Sequence, residues 1–304
     1  MDTTSQRLMM AAGLSKPVFQ ATISTNQQEL NLATWATGQG WNGTDAAEIT
    51  IASGVYVWSD STATPALTTG SFPGGLKVIV DGFIMGKGGA GGGYNSGINN
   101  TSDETGGNGG PAVSLSVSTT FSGGTNGYIA GGGGGGGNST ITKGGFGGGG
   151  GGAGGGNGGY SARGDGGLGG AVGQTGSAAT RQHEGAGGGR ILPGTGGAGG
   201  VQNLALFAQG GGAGGGGASD NVNATIETSR GGASNNPGTS PTLIRSTGGG
   251  GGWGAAGGTG VGQNSGTTTA GGLGGKAVNL NGNSVTWEGR FSTNFGDSVW
   301  GAVS

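Results

Sequence analysis

The chain has 304 residues, of which 88 are glycine, 9% are charged and none is cysteine, and its net charge is −2. Twelve Lys and Arg residues form no basic cluster able to displace counterions from phosphates, which excludes a nucleic-acid surface. Glycine at about four times its usual share excludes an ordinary side-chain core through most of the length, while the low charge sets the chain apart from disordered polyelectrolytes.

The opening stretch, MDTTSQRLMMAAG, carries Asp2 and no long apolar run, so it does not read as a secretion signal. No 18 apolar residues follow one another anywhere, and no membrane insertion is expected. The lack of cysteine removes disulfides and thiolate-bound metal, and fits assembly in a cytoplasm.

Residues 1–85 read as a small mixed α/β domain that serves as base and attachment unit. Asn26–Gln27–Gln28–Glu29 has the spacing of a capping box and predicts a helix over 27–37, ended by Gly38. Strands are predicted over 48–58, in two pieces separated by Ser53–Gly54, and over 76–80. Trp35, Trp41 and Trp58 concentrate the apolar burial here.

From residue 86 to 276, glycine runs alternate with other segments. Ten runs can be marked: 86–93, 106–110, 127–137, 144–159, 164–171, 185–189, 194–200, 210–217, 248–258 and 270–276. Within a run the other residues fall three apart, as Thr195, Ala198 and Val201 do, or Asp165, Leu168 and Ala171. Three residues per turn is the polyproline II repeat, which has no hydrogen bonds of its own. Buried peptide groups in such threads must bond sideways to neighbours, and only glycine lets backbones come close enough. Two glycines in three leave one outward position per turn. The runs Gly131–Gly137 and Gly147–Gly152 have no outward position, so Gly131, Gly134, Gly137, Gly147 and Gly150 are expected in the middle of a bundle of about ten threads. Seven residues would span roughly 22 Å.

If successive runs alternate in direction, segments 94–105, 138–143, 172–184, 201–209 and 259–269 share the far end. Short strands at 111–126, the C-terminal strands of 277–304 and the N-terminal domain share the near end, where Trp287 and Trp300 would complete a cap with Trp35, Trp41 and Trp58. The far-end segments differ in composition. They supply the contact candidates Tyr94, Ile98, Asn99, Ile141, Arg181, His183, Leu204, Leu206, Phe207, Gln263 and Asn264, a set that mixes apolar, aromatic and polar groups as recognition surfaces do.

Other chemistry is poorly supported. Chance G-x-G-x-x-G matches are everywhere, but Lys87 and Lys143 precede glycine and Lys276 precedes alanine, so no phosphate loop is formed. His183, the single histidine, lacks the partners of a triad or a metal site and reads as a polar loop tip. Arg163–Gly164–Asp165 is expected by chance in such a composition. No metal, no cofactor and no enzymatic activity are expected.

The strand-then-glycine motifs VIVDGFIMGKGGAGGG and GGPAVSLSVSTTFSGGTNGYIAGGGGGGG, the ten-run block and the closing GGKAVNLNGNSVTWEG resemble bacteriophage tail-fibre tip adhesins with a polyglycine-rich domain, over roughly 76–290. The resemblance implies a sandwich of polyglycine II helices whose variable loops bind a host outer-membrane protein or surface polysaccharide. It implies a phage tail or fibre protein as partner, either a single copy on a trimeric fibre or a homotrimer, and a place on the virion after synthesis in the host cytoplasm. The alternative is an ice-binding or other structural glycine-rich protein, against which the long, unequal connecting segments argue.

Overall fold

The computed structural model describes residues 17–92, 105–137, 250–261 and 268–304. Its strands follow one another around a three-sided coil. The first turn contains β1 (Val18–Ile23), β2 (Gln27–Gln28) and β3 (Leu30–Asn31), followed by helix α1 (Leu32–Gly38). The second contains β4 (Ala46–Ile51), β5 (Tyr56–Trp58) and β6 (Leu67–Thr68), and the third β7 (Leu76–Val80), β8 (Phe83–Met85) and β9 (Val113–Ser114). The fourth begins with β10 (Thr119–Gly123) and β11 (Tyr128–Ala130). After a small pair, β12 (Gly260–Val261) and β13 (Thr268–Thr269), it ends with β14 (Val278–Asn279). The fifth contains β15 (Val285–Gly289), helix α2 (Arg290–Thr293) and β16 (Val299–Trp300).

Each face is a parallel sheet assembled from successive turns. One face runs β1-β4-β7-β10-β15, the second β2-β5-β8-β11-β16 and the third β3-β6-β9-β14. The register stacks similar side chains inward. Ile49, Val78, Phe121 and Trp287 are direct partners on the first face. On the second, Val57, Ile84, Ile129 and Val299 face the same core. Leu30, Leu67, Val113 and Val278 do so on the third. Alternation of buried and half-buried residues in β4 and β7 is the period of two that one buried face demands. The last turn is closed by Phe291 of α2, which is buried against Gly123, where any added Cβ would press into the phenyl ring.

This arrangement corrects the expected α/β domain. The first 85 residues do not close on themselves, because the sheet that starts at β1 ends at β15. The helix predicted over 27–37 is confined to 32–38, and residues 27–28 and 30–31 are strand. Asn31, not Asn26, is the cap: its Oδ1 accepts the Thr34 N–H at 3.1 Å. Asn26 Oδ1 instead accepts the Tyr56 N–H of the next turn, and Glu29, with φ of 50°, accepts the Ser59 hydroxyl. The two polar residues that look like a capping box therefore fasten neighbouring turns of the coil. The predicted strand over 48–58 is β4 and β5, with a corner at 52–55.

The glycine segments are insertions at one corner. Residues 86–112 separate β8 from β9, and residues 131–277 separate β11 from β14, so both leave the second face and return to the third. Since β8 and β11 are parallel neighbours, the chains leaving them start side by side. Gly86 donates to Ala130 O, Gly89 to Gly133 O and Gly92 to Gly136 O, at 2.8–2.9 Å. Donors three apart replace the two-residue period of the sheet. The returning chains match them: Gly106 donates to Ala270 O, Gly109 to Leu273 O and Ala112 to Lys276 O.

Residues 131–137 lie at the centre of the described threads. Gly132 and Gly135 donate to Gly110 and Gly107, which run antiparallel to them. Gly275 and Gly272 donate to the carbonyls of Gly132 and Gly135. Gly131, Gly134 and Gly137 donate in turn to Trp300, Ala255 and Gly258. Gly254 and Gly251 donate back to Gly131 and Gly134. All seven residues are buried, and an added Cβ at Gly131, Gly132, Gly134 or Gly135 would collide with a backbone carbonyl of a neighbour.

One run differs from the sequence reading. The stretch 248–258 is not one thread: residues 250–252 run toward the coil, the chain turns at Trp253–Gly254, and 255–258 run away again. Glycine at 254 is required twice, by its φ of 70° and by the backbone of Trp300–Gly301 against it.

Candidate functional site

The hydrogen-bond directions fix which end of each thread is remote from the coil. Segments 86–92, 131–137 and 255–258 run outward, and 106–110 and 270–276 run inward. Gly92, Gly106, Gly137, Gly258 and Ala270 consequently meet at one remote end. The Gly92 N–H bonds Gly136 O at 2.8 Å, that of Gly106 bonds Ala270 O at 3.0 Å, and that of Gly137 bonds Gly258 O at 2.9 Å. Beyond Gly258 the antiparallel pair β12–β13, with Gly260 opposite Thr269 and Val261 opposite Thr268, holds the two stems of the segment 262–267 together. The points of departure for residues after 92, after 137 and after 261 are thus positioned by main-chain bonds.

The contact candidates Tyr94, Ile98, Asn99, Ile141, Arg181, His183, Leu204, Leu206, Phe207, Gln263 and Asn264 lie outside the described residues, as do Gly147 and Gly150. Along the side of the bundle, Ala90, Asn108, Ala270 and Leu273 occupy outward positions. Asn108 Oδ1 accepts the Leu273 N–H at 2.8 Å, and so satisfies the backbone from the outside. Among the described residues no group of three or more His, Cys, Asp or Glu could hold a metal ion, and no helix is long and apolar enough to cross a membrane.

At the near end, the expected single cap of tryptophans is two separate clusters. Trp41 is buried against Phe72 at 4.4 Å and donates its indole N–H to Asp45 O at 2.9 Å. With half-buried Trp35 and Trp287 it belongs to the inner core of the coil. Trp58 and Trp300 sit at outward positions of the second face, where strand alternation points them away from that core. There Tyr56, Phe83 and Tyr128 form a row with ring centroids 5.2 and 4.5 Å apart. Burial pushes the Tyr128 phenol well above the usual tyrosine range, with the Tyr56 phenol adding in the same direction. Lys87, at the foot of the first thread, is pushed down by burial, against the opposing pull of the Asp60 carboxylate.

Sequence reasoning missed Trp253. It is fully buried and packs on Tyr128 at 5.2 Å and Trp300 at 5.1 Å. The signal was present: an indole cannot fit among threads packed backbone to backbone, so a tryptophan inside a glycine run must mark a thread end.

A family model described as phage tail fibre adhesin Gp38 matches residues 18–192. None of the curated proteins matches the chain. Among solved structures the chain is similar to the gp37-gp38 adhesin tip complex of the bacteriophage S16 long tail fiber. The identity is 20%, the match covers 95% of this chain and 82% of that one, and the TM-score is 0.49.

Proposed function

The chain belongs to the phage tail fibre adhesin Gp38 family, and from that premise we propose that it recognises a host-cell receptor through the segments carried at the remote end of its threads. The observation that carries this reading is the meeting of Gly92, Gly106, Gly137, Gly258 and Ala270 at one end, each held by backbone hydrogen bonds. Because the main-chain bonds at these five residues are made between described threads, the segments beyond them can change in length and composition while those bonds are kept. The receptor is an outer-membrane protein or a surface polysaccharide, bound without covalent chemistry.

The finer architecture is part of the proposal. The six described thread segments, with their three-residue hydrogen-bond period, support a polyglycine II bundle that continues through the remaining runs to about ten threads, with Gly147 and Gly150 among its interior positions. The coil is the unit that joins a fibre protein, as a single copy on a trimeric fibre or as part of a homotrimer, and the assembled protein sits on the virion.

Replacing 94–104 and 262–267 with glycine–serine linkers of equal length tests the reading by adsorption of the purified protein to host cells. Lost adsorption with intact protection of the thread amides is the expected result. Full adsorption after the far-end segments at 138–143, 172–184 and 201–209 have also been replaced would refute it. Protease or periodate treatment of the cells then separates a protein receptor from a glycan.

A further inference from the structure

Four of the thread ends that meet the coil are continuous with one of its strands: Gly86 follows β8, Gly131 follows β11, 106–110 leads into β9, and 270–276 into β14. The pair 250–252 and 255–258 is different. It comes down to the coil, reverses at Trp253–Gly254 and leaves again without contributing a coil strand. No covalent link at that point fixes its height or its rotation.

We infer that Trp253 is a non-covalent foot that seats this thread pair on the outer aromatic face of the coil and thereby sets the position of the β12–β13 stem above it. Three observations carry this. Trp253 is fully buried in a triangle with Tyr128 and Trp300, whose three centroid separations are 5.1–5.2 Å. The acceptors for Gly131, Gly134 and Gly137 are Trp300, Ala255 and Gly258, so the coil's last strand supplies the lowest rung of the same column that the ascending thread continues. The backbone of Gly254 lies directly on Trp300–Gly301, which leaves no room for sliding. The indole N–H finds no acceptor among the described residues, so what the Trp253 side chain adds to the main-chain bonds of this pair is ring packing.

The test is amide exchange on the full chain carrying W253A, with W253F as the second variant. In W253A the amides that join this pair to the centre, those of Gly251, Gly134 and Gly137, should exchange about tenfold faster or more. Those of Gly132 and Gly135, bonded to the 106–110 thread, and those of the coil strands should stay within about twofold of the unmodified protein. W253F should keep all of them protected, since the phenyl ring preserves the packing. Unchanged exchange at Gly251, Gly134 and Gly137 would overturn the inference, and so would equal acceleration everywhere or failure of W253A to fold. W253F behaving like W253A would do the same.

Discussion

A methyl group separates two kinds of glycine in this chain. A Cβ on Gly134 would collide with the carbonyls of Gly272 and Leu273, which belong to a neighbouring backbone and cannot rotate aside. A Cβ on Gly38, at the end of α1, would meet nothing within 4 Å. Overpacking commonly costs about 1–3 kcal/mol, and rigid main-chain neighbours place Gly134→Ala at or above the top of that range. Gly38→Ala should instead be neutral or stabilising by up to about 1 kcal/mol, because alanine loses less backbone entropy in a helix. Urea denaturation of the two variants measures the contrast. At this scale the three-residue spacing is a local property of the string, and the hydrogen-bond donors of the described segments, Gly86, Gly89 and Gly92, recur at that spacing. The capping role was misread because Asn26–Glu29 and Asn31–Thr34 both offer cap-like pairs, and only the turn stacked beside them decides that Asn26 bonds Tyr56.

Strands that bury one face declare themselves by alternation, and Leu76–Val80 is legible for that reason. Their partners are not. The neighbour of Ile129 is Val299, on the far side of the whole glycine block, and nothing local links the two. A two-residue strand such as β6 or β9 has too few positions to show any period. The same limitation hid the outer aromatic row, whose members Tyr56, Phe83, Tyr128 and Trp300 come from four different turns. That row has a measurable titration. Tyr128 ionises at the ordinary value of 10.0 when unfolded, and burial raises it in the folded protein. Its contribution is therefore complete below that value and is lost as the pH climbs past it. The urea midpoint should fall between about pH 8 and about pH 11, and Tyr128→Phe should make it fall less. Equal falls in the two proteins would show that the phenol is not the group responsible.

As a whole the molecule joins two ways of satisfying a buried peptide group. In the coil, parallel strands bond with a period of two around an interior of Ile, Val, Leu and Phe. Above the corner between the second and third faces, the same lateral bonding continues with a period of three, and the interior becomes backbone. The change happens where β8 and β11 run into glycine, so the register of the sheet is handed directly to the threads. A scaffold of that kind fixes the remote thread ends, Gly92, Gly106, Gly137, Gly258 and Ala270, with few large side chains. Everything rests on the main-chain bonds around residues 131–137. The direct measurement is the exchange rate of the Gly132, Gly134, Gly135 and Gly137 amides in the unmodified protein. These amides should be as slow as those of the coil's central strands; exchange at the rate of an unstructured glycine peptide would contradict a core knit by main-chain bonds.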